Sequence, residues 1–202
     1  MIIKTNPDEF ENFVVDASNF KGNCDAVYFP ESIDEVVSIV KEANAKKTKV
    51  TIAGNGTGLT GARVPQNGIV IATDKLNKII EINPKEFYAV VEPAVLLSDF
   101  QKELKQKNLF YPPDPTETNC YIGGTVATNA SGAKTFKYGP TRDYVIGLQV
   151  VLADGEVIDL ERGKQKAIGY DLELTTQSGK NILLQIPDYT SPAVKNASGY
   201  FV

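Results

Sequence analysis

There is no histidine anywhere in the 202 residues. That excludes a Ser-His-Asp triad, a Cys-His pair, a histidine-ligated metal and a histidyl-linked cofactor within this chain. It also removes the side chain most often used as a general base near neutral pH. Cysteine is scarce: Cys24 and Cys120 stand far apart, with no CxxC spacing. They read as two small buried residues in a reducing compartment rather than a disulfide or a structural zinc site, and no metal is expected. No apolar run approaches the roughly 18 residues of a membrane span. Met1 to Pro7 carries no basic stretch followed by an apolar one. The expected location is cytoplasmic or membrane-peripheral. There is no excess of basic residues either. Lys and Arg total 21 against 25 Asp and Glu, a net charge of −4, which argues against a nucleic-acid partner.

What is present is ordinary for a folded globular protein: 42% apolar and 23% charged residues, with no internal repeat. A chain of this length buries roughly 70% of its extended surface on folding, so a real core is expected. Residues 7–18 predict a short helix, with Phe10, Phe13 and Val14 on one side. Ala26 to Phe29 reads as a strand closed by Pro30. Ser32-Ile33-Asp34-Glu35 fits a capping box for a helix through Val36, Val37, Val40 and Ala43. Lys49 to Ala53 and Ile69 to Ala72 read as buried strands, and residues 77–82 with 87–92 as a strand pair. Leu96 to Lys107 predicts an amphipathic helix, and residues 144–153 with 157–160 a hairpin across Asp154-Gly155. Further strands are expected near 167–174 and 181–186. The order is βαβ first, then mostly antiparallel strands with inserted helices, which suggests a two-lobed α+β protein with a ligand cleft between the lobes.

Glycine is concentrated. Eight of the sixteen fall within residues 54–61 and 123–139, a crowding that costs conformational entropy unless backbone must approach something closely. In Gly54-Asn55-Gly56-Thr57-Gly58-Leu59-Thr60-Gly61, the spacing GxGxxG follows a strand. A Rossmann site also needs a helix immediately afterwards, and Pro65 and Gly68 leave no room for one. A Walker A loop needs Lys-Ser/Thr where Ala62-Arg63 stands. What remains is an uncharged run of main-chain N–H groups, with the hydroxyls of Thr57 and Thr60, that forms an anion-binding nest suited to a diphosphate diester. A tight turn between strands needs one or two glycines, not four. The second window opens on the stiff Pro112-Pro113-Asp114-Pro115-Thr116 and continues through Gly123-Gly124 into a tract of small Thr, Asn, Ser and Ala residues, a wall for a large flat ligand. Lys134, Lys137 and Arg142 follow it. A carboxylate introduced at Gly56 is expected to abolish binding of such a ligand.

The segments 53–61, 112–116, 122–132 (Ile-Gly-Gly-Thr-Val-Ala-Thr-Asn-Ala-Ser-Gly) and 137–148 (Lys-Tyr-Gly-Pro-Thr-Arg-Asp-Tyr-Val-Ile-Gly-Leu) resemble, in this order, the FAD-binding domain of vanillyl-alcohol oxidase/PCMH-type flavoproteins. The likeness is to FAD-linked oxidases such as the glycolate oxidase flavin subunit and D-lactate dehydrogenases. It implies a two-lobed α+β fold with a small βαβ lobe at about 1–74 and a mostly antiparallel lobe with helices at about 75–202. It implies that Gly54, Asn55, Gly56, Thr57, Gly58, Leu59 and Thr60 hold the FAD diphosphate. Asp114, Pro115 and Thr116 would line the flavin or its ribityl chain. Gly123, Gly124, Thr128, Asn129, Ser131 and Gly132 would contact flavin and diphosphate, with Tyr138 as a further candidate. Gly58 stands in the loop that carries a linking histidine in covalent members, so FAD is expected to be noncovalent.

Members of that family continue past the equivalents of residues 195–200 into Gly-Ser-Glu-Gly-Thr-Leu-Gly and then a substrate domain. Residues 1–202 therefore read as an FAD-binding domain incomplete at its C-terminus, inactive alone. Its partners would be the remainder of the flavoenzyme, a small 2-hydroxy acid and an electron acceptor. The implied reaction is hydride transfer from Cα of that acid to flavin N5, and no catalytic base is recognisable here. The alternatives are a nonenzymatic or assembly module that keeps the fold without flavin, and a kinase-like nucleotide binder, which the missing Lys-Ser/Thr disfavours.

Overall fold

The computed structural model describes residues 1–187, 190, 193 and 194. β1 (Ile2–Lys4) pairs antiparallel with β2 (Ala26–Phe29). Between them, the helix expected over residues 7–18 is replaced by two short 3-10 turns, Pro7–Glu9 and Glu11–Phe13. Asn6 caps the first turn by accepting from the Asp8 amide, and Phe10 leaves helical geometry at φ −136°. The break lets Phe10, Phe13 and Val14 turn onto the sheet, where they cover Val27, Phe29, Ala53, Val70 and Ala72.

α1 (Ile33–Lys46) begins as its sequence predicts, with Ser32 Oγ accepting from the Glu35 amide. Glu35 reaches back one residue beyond the cap, to the Glu31 amide at 2.8 Å. The helix ends at Lys47 in the left-handed region, φ 56°. β3 (Val50–Ala53) and β4 (Ile69–Ala72) complete a four-stranded sheet in the order β1-β2-β4-β3, with β4 parallel to both neighbours. A strand covered on both faces must be apolar at every position, and all four residues of β4 are buried. Ile69 and Ile71 meet Ile39 and Ala43 of α1, while Val70 and Ala72 face the Phe10 side.

The β3-to-β4 connection positions the site. Parallel strands usually need a helix between them; here residues 54–68 make the return with none. The glycine loop therefore starts at the carboxyl end of a parallel strand, where open sheets place their ligands.

The remainder is α and antiparallel β. β5 (Ile79–Asn83) and β6 (Tyr88–Val91) form a hairpin, followed by α2 (Leu97–Gln106), α3 (Ile122–Ala127) and α4 (Thr135–Tyr138). Two further hairpins follow: β7 (Gly147–Val151) with β8 (Val157–Glu161), and β9 (Asp171–Thr175) with β10 (Asn181–Gln185). A second core gathers Leu97, Phe100 and Leu104 of α2 with Val95, Cys120 and Ile122, against Ile79, Val91 and Tyr111. The antiparallel part is three separate two-stranded ribbons rather than one sheet. The stretch 195–200, where the resemblance places the approach to a further FAD contact, lies outside the described residues. Among the described residues, no helix is long and apolar enough to cross a membrane, and no cluster of His, Cys, Asp or Glu is placed to hold a metal.

Candidate functional site

Two carbonyls of the glycine loop are tied to the protein, while a run of its amides is left without protein partners among the described residues. The Gly54 carbonyl accepts from Arg63 Nη1 at 2.5 Å, and the Gly56 carbonyl accepts from the Ala17 amide at 3.0 Å. Among the described residues, the consecutive amides of Asn55 through Thr60 donate to no protein acceptor, nor do the hydroxyls of Thr57 and Thr60 have a partner. The next amide, Gly61, is held by Asp16 Oδ2 at 2.8 Å. Successive amides without protein partners, on a loop with glycines at φ 76° and 71° (Gly56 and Gly61), have the form of an anion nest. Gly58, Leu59 and Thr60 are exposed and Gly54, Gly56 and Thr57 half-buried.

Behind the loop lie charges that local spacing did not reveal. Arg63 is half-buried; its Nη2 also donates to the Asn12 carbonyl, and its guanidinium lies 5.3 Å from the Phe13 ring centroid. Burial pushes its pKa down while Asp74 and Asp16 work the other way. Arg63 Nε and Asp74 Oδ2 are buried without a partner. Burial opposes the Asp16 charge, yet the Ser18 hydroxyl and amide, the Gly61 amide and Arg63 together hold its carboxyl below the usual range. Asp16, Asn55, Gly56, Arg63 and Asp74 share a hollow of about 540 Å³. One signal was available: Arg63 stands next to Val64 and Pro65, both buried, and a charge embedded in an apolar run needs partners.

The two windows meet. Asn55 Nδ2 donates to the Asn119 carbonyl at 2.6 Å, and a Cβ at Gly54 would lie 3.8 Å from the Tyr121 ring. Tyr121 OH donates to Asp74 Oδ1 at 3.4 Å; burial and the Asp74 charge both push that phenol up. Within the second window, Gly132 lies against the Asp114 main chain, and Asp114 pairs with Lys134 at 3.2 Å. Pro115 is half-buried and Thr116 exposed. Gly123 packs on Pro93, to whose carbonyl its amide donates at 2.8 Å, whereas Gly124 faces open space. Thr128 Oγ1 donates to the Gly124 carbonyl, leaving Thr128 exposed. Ser131 is half-buried, and Asn129 is buried in the left-handed region with Oδ1 accepting from the Arg142 amide at 2.9 Å. The Tyr138 ring is edge-on to Phe110 at 5.6 Å, and its carbonyl accepts from Tyr144 OH. Lys137 stacks over the Tyr138 ring at 4.8 Å.

Beside this window the Tyr111 ring is packed 5.4 Å from Phe100 and 6.0 Å from Tyr144. Burial pushes its phenol up to about 12, with hydrogen bonding to Thr141 and Thr125 opposing the shift. An unfolded tyrosine ionises near pH 10. The folded value lies above the unfolded one, so the proton favours the folded state, and stability is lost as pH rises from about 10 to about 12. Ultraviolet titration of the nine tyrosines should show a late phase near pH 12 that the Tyr111→Phe variant lacks.

A family model described as an FAD binding domain matches residues 24–161. The chain belongs to the FAD-binding domain family. It is 40% identical over 150 residues to D-2-hydroxyglutarate dehydrogenase of Stutzerimonas stutzeri (strain A1501), covering 73% of this chain and 32% of that protein. It is 39% identical over 151 residues to glycolate oxidase subunit GlcD of Bacillus subtilis (strain 168), covering 73% of this chain and 32% of the subunit. It thus spans about a third of the length of these relatives. The fold matches 6-hydroxy-D-nicotine oxidase from Arthrobacter nicotinovorans with a TM-score of 0.71 at 20% identity, over 81% of this chain and 36% of the oxidase. The expected PCMH-type α+β architecture is therefore the one observed, and the cofactor of the FAD-binding domain is FAD. The residues present fit that group. An uncharged loop presents free amides for a diphosphate, nothing among the described residues comes closer than 4.0 Å to a Cβ built at Gly58, and Gly124 faces open space.

Proposed function

We propose that this FAD-binding domain is the cofactor-holding part of a flavin-dependent oxidoreductase that oxidises a small 2-hydroxy acid of the glycolate or D-lactate type. The observation that carries the reading is the run of unpaired amides at 55–60, backed by inward-tied carbonyls, at the carboxyl end of a parallel strand. Bound there, FAD supplies the acceptor for a hydride from the alcohol carbon of the substrate. The loop of residues 54–60 binds the diphosphate through main-chain N–H groups, with the Thr57 and Thr60 hydroxyls as added donors. The stretch from Asp114 to Thr116 and the small-residue tract Gly123, Gly124, Thr128, Asn129, Ser131 and Gly132 form the second wall, whose small side chains leave room for a large flat ligand. Tyr138 would border it. The 2-hydroxy-acid class is supported by relatives named for 2-hydroxyglutarate and glycolate. Binding is noncovalent, since Gly58 offers no side chain for a link and the chain has no histidine. The remainder of a flavoenzyme would supply the substrate pocket and the base.

The purified chain is expected to be yellow, and heating should release free FAD at close to one equivalent per chain. A colourless chain that takes up no added FAD would favour the other reading, an assembly module that keeps the fold without flavin.

A further inference from the structure

Arg63 lies under the glycine loop rather than in it. It is tied to the Gly54 and Asn12 carbonyls and stacked on Phe13. Gly56 rests so closely on the guanidinium that a Cβ there would stand 2.7 Å from Nη1 and 3.0 Å from Cζ. The loop is wrapped over a planar cation. The hydrogen bonds of that cation go to neutral carbonyls, and among the described residues no carboxylate lies within 4.0 Å of its nitrogens. An arginine stays charged in a protein, so its charge is not cancelled by direct contact. Asp16 and Asp74 do act on it from further away.

The balance of charge follows. Residues 54–62 carry no charged side chain, so the potential at the amides is set by what lies behind them. With Arg63 removed, two carboxylates would back the loop against a diphosphate that itself carries negative charge. With Arg63 present, one of them is offset by a cation that also fixes which way the loop's peptide planes point.

We propose that Arg63 is the positioning residue of the diphosphate site: it holds the Gly54 carbonyl inward so that the amides of 55–60 face out, and it offsets Asp16 and Asp74. The proposal rests on the FAD reading of the loop. Both terminal nitrogens of Arg63 already donate to protein carbonyls, so its proposed role is exerted through the loop, unlike that of an arginine that clamps phosphate directly.

The test titrates the flavin-free chain with FAD, in wild type, Arg63→Met and Arg63→Lys, at low and high salt. Arg63→Met is expected to weaken FAD about 10- to 100-fold, the scale of one partly screened charge. Arg63→Lys should recover most of the charge contribution, to within about 10-fold of wild type, and the salt dependence should be shallower in Arg63→Met. Unchanged affinity in Arg63→Met overturns the proposal. So does a loss that lysine does not recover and that leaves the salt dependence untouched, because a purely structural staple behaves that way. If Arg63→Met does not fold, Asp74→Asn carries the test. Removing the opposing carboxylate should tighten FAD about 3- to 10-fold, and no tightening overturns the proposal. Failure of wild type itself to bind FAD brings down the loop reading and this inference together, an outcome distinct from wild-type binding that Arg63→Met leaves unchanged.

Discussion

Gly58→Asp is expected to abolish FAD binding while leaving the chain folded. Gly58 is exposed, its φ is not in the left-handed region, and the nearest atom to an added Cβ is Asp16 Oδ2 at 4.0 Å. A Cβ there meets no steric clash, and among the described residues the only charge facing it is the Asp16 carboxylate at 4.0 Å. The carboxylate would sit among the free amides, accept from them, and repel the diphosphate. One unit charge about 4 Å from another at an effective dielectric of 20 is worth roughly 4 kcal/mol, less where water screens it, which corresponds to about a 100-fold loss or more. Gly58→Ala is the control, with an affinity within a few-fold of wild type. Position 56 is a poorer probe than its sequence suggests. Its φ of 76° and its contact with Arg63 mean that an aspartate there disrupts the loop itself. Flavin content after heat release, with circular dichroism to confirm folding, reads the outcome. Full FAD content in Gly58→Asp would remove the loop from the diphosphate site.

The parts of this domain that could be read from sequence are those set by local pattern. The capping serine before α1, the four apolar residues of β4 and the β7–β8 hairpin follow from spacing and turn chemistry, and they lie where spacing puts them. The glycine windows were legible for the same reason, since unusual smallness is visible one residue at a time. Residues 7–18 depart from the helix their spacing predicts because Phe10, Phe13 and Val14 serve as a plug over one sheet face, so packing overrides periodicity. The supporting charges escaped for a different reason. Asp16 reaches Gly61 across 45 positions and Arg63 reaches Asn12 across 51, distances over which no sequence period operates. The mostly antiparallel second part takes the form of three two-stranded ribbons, because pairing within a hairpin is local and legible, whereas pairing between hairpins is not.

The second large effect is one of stability, at Gly132. Its φ is ordinary, so alanine is allowed by its own backbone, but an added Cβ would stand 1.6 Å from the Asp114 carbonyl oxygen, 2.4 Å from its carbon and 3.0 Å from Pro115 Cα. All three are main-chain atoms. The segment they belong to is stiffened by Pro112, Pro113 and Pro115, whose fixed φ leaves little room to yield. The other side is fixed too: the Gly132 amide donates to Thr135 Oγ1 at 2.8 Å and its carbonyl accepts from the Thr135 amide at 3.0 Å. Neither segment can retreat without breaking bonds, including the Lys134–Asp114 pair. Overpacking against rigid backbone costs about 3 kcal/mol or more, and in a domain of this size that lowers Tm by on the order of 10 °C. Gly124→Ala supplies the contrast within the same window. It lies in α3 with nothing within 4 Å of the new Cβ, and the better helix propensity of alanine should raise stability by up to about 1 kcal/mol. Thermal melts of the two variants should therefore move in opposite directions. A Gly132→Ala melt within a degree of wild type would mean that the 112–116 segment does not press on residue 132, and the second wall would lose the contact that shapes it.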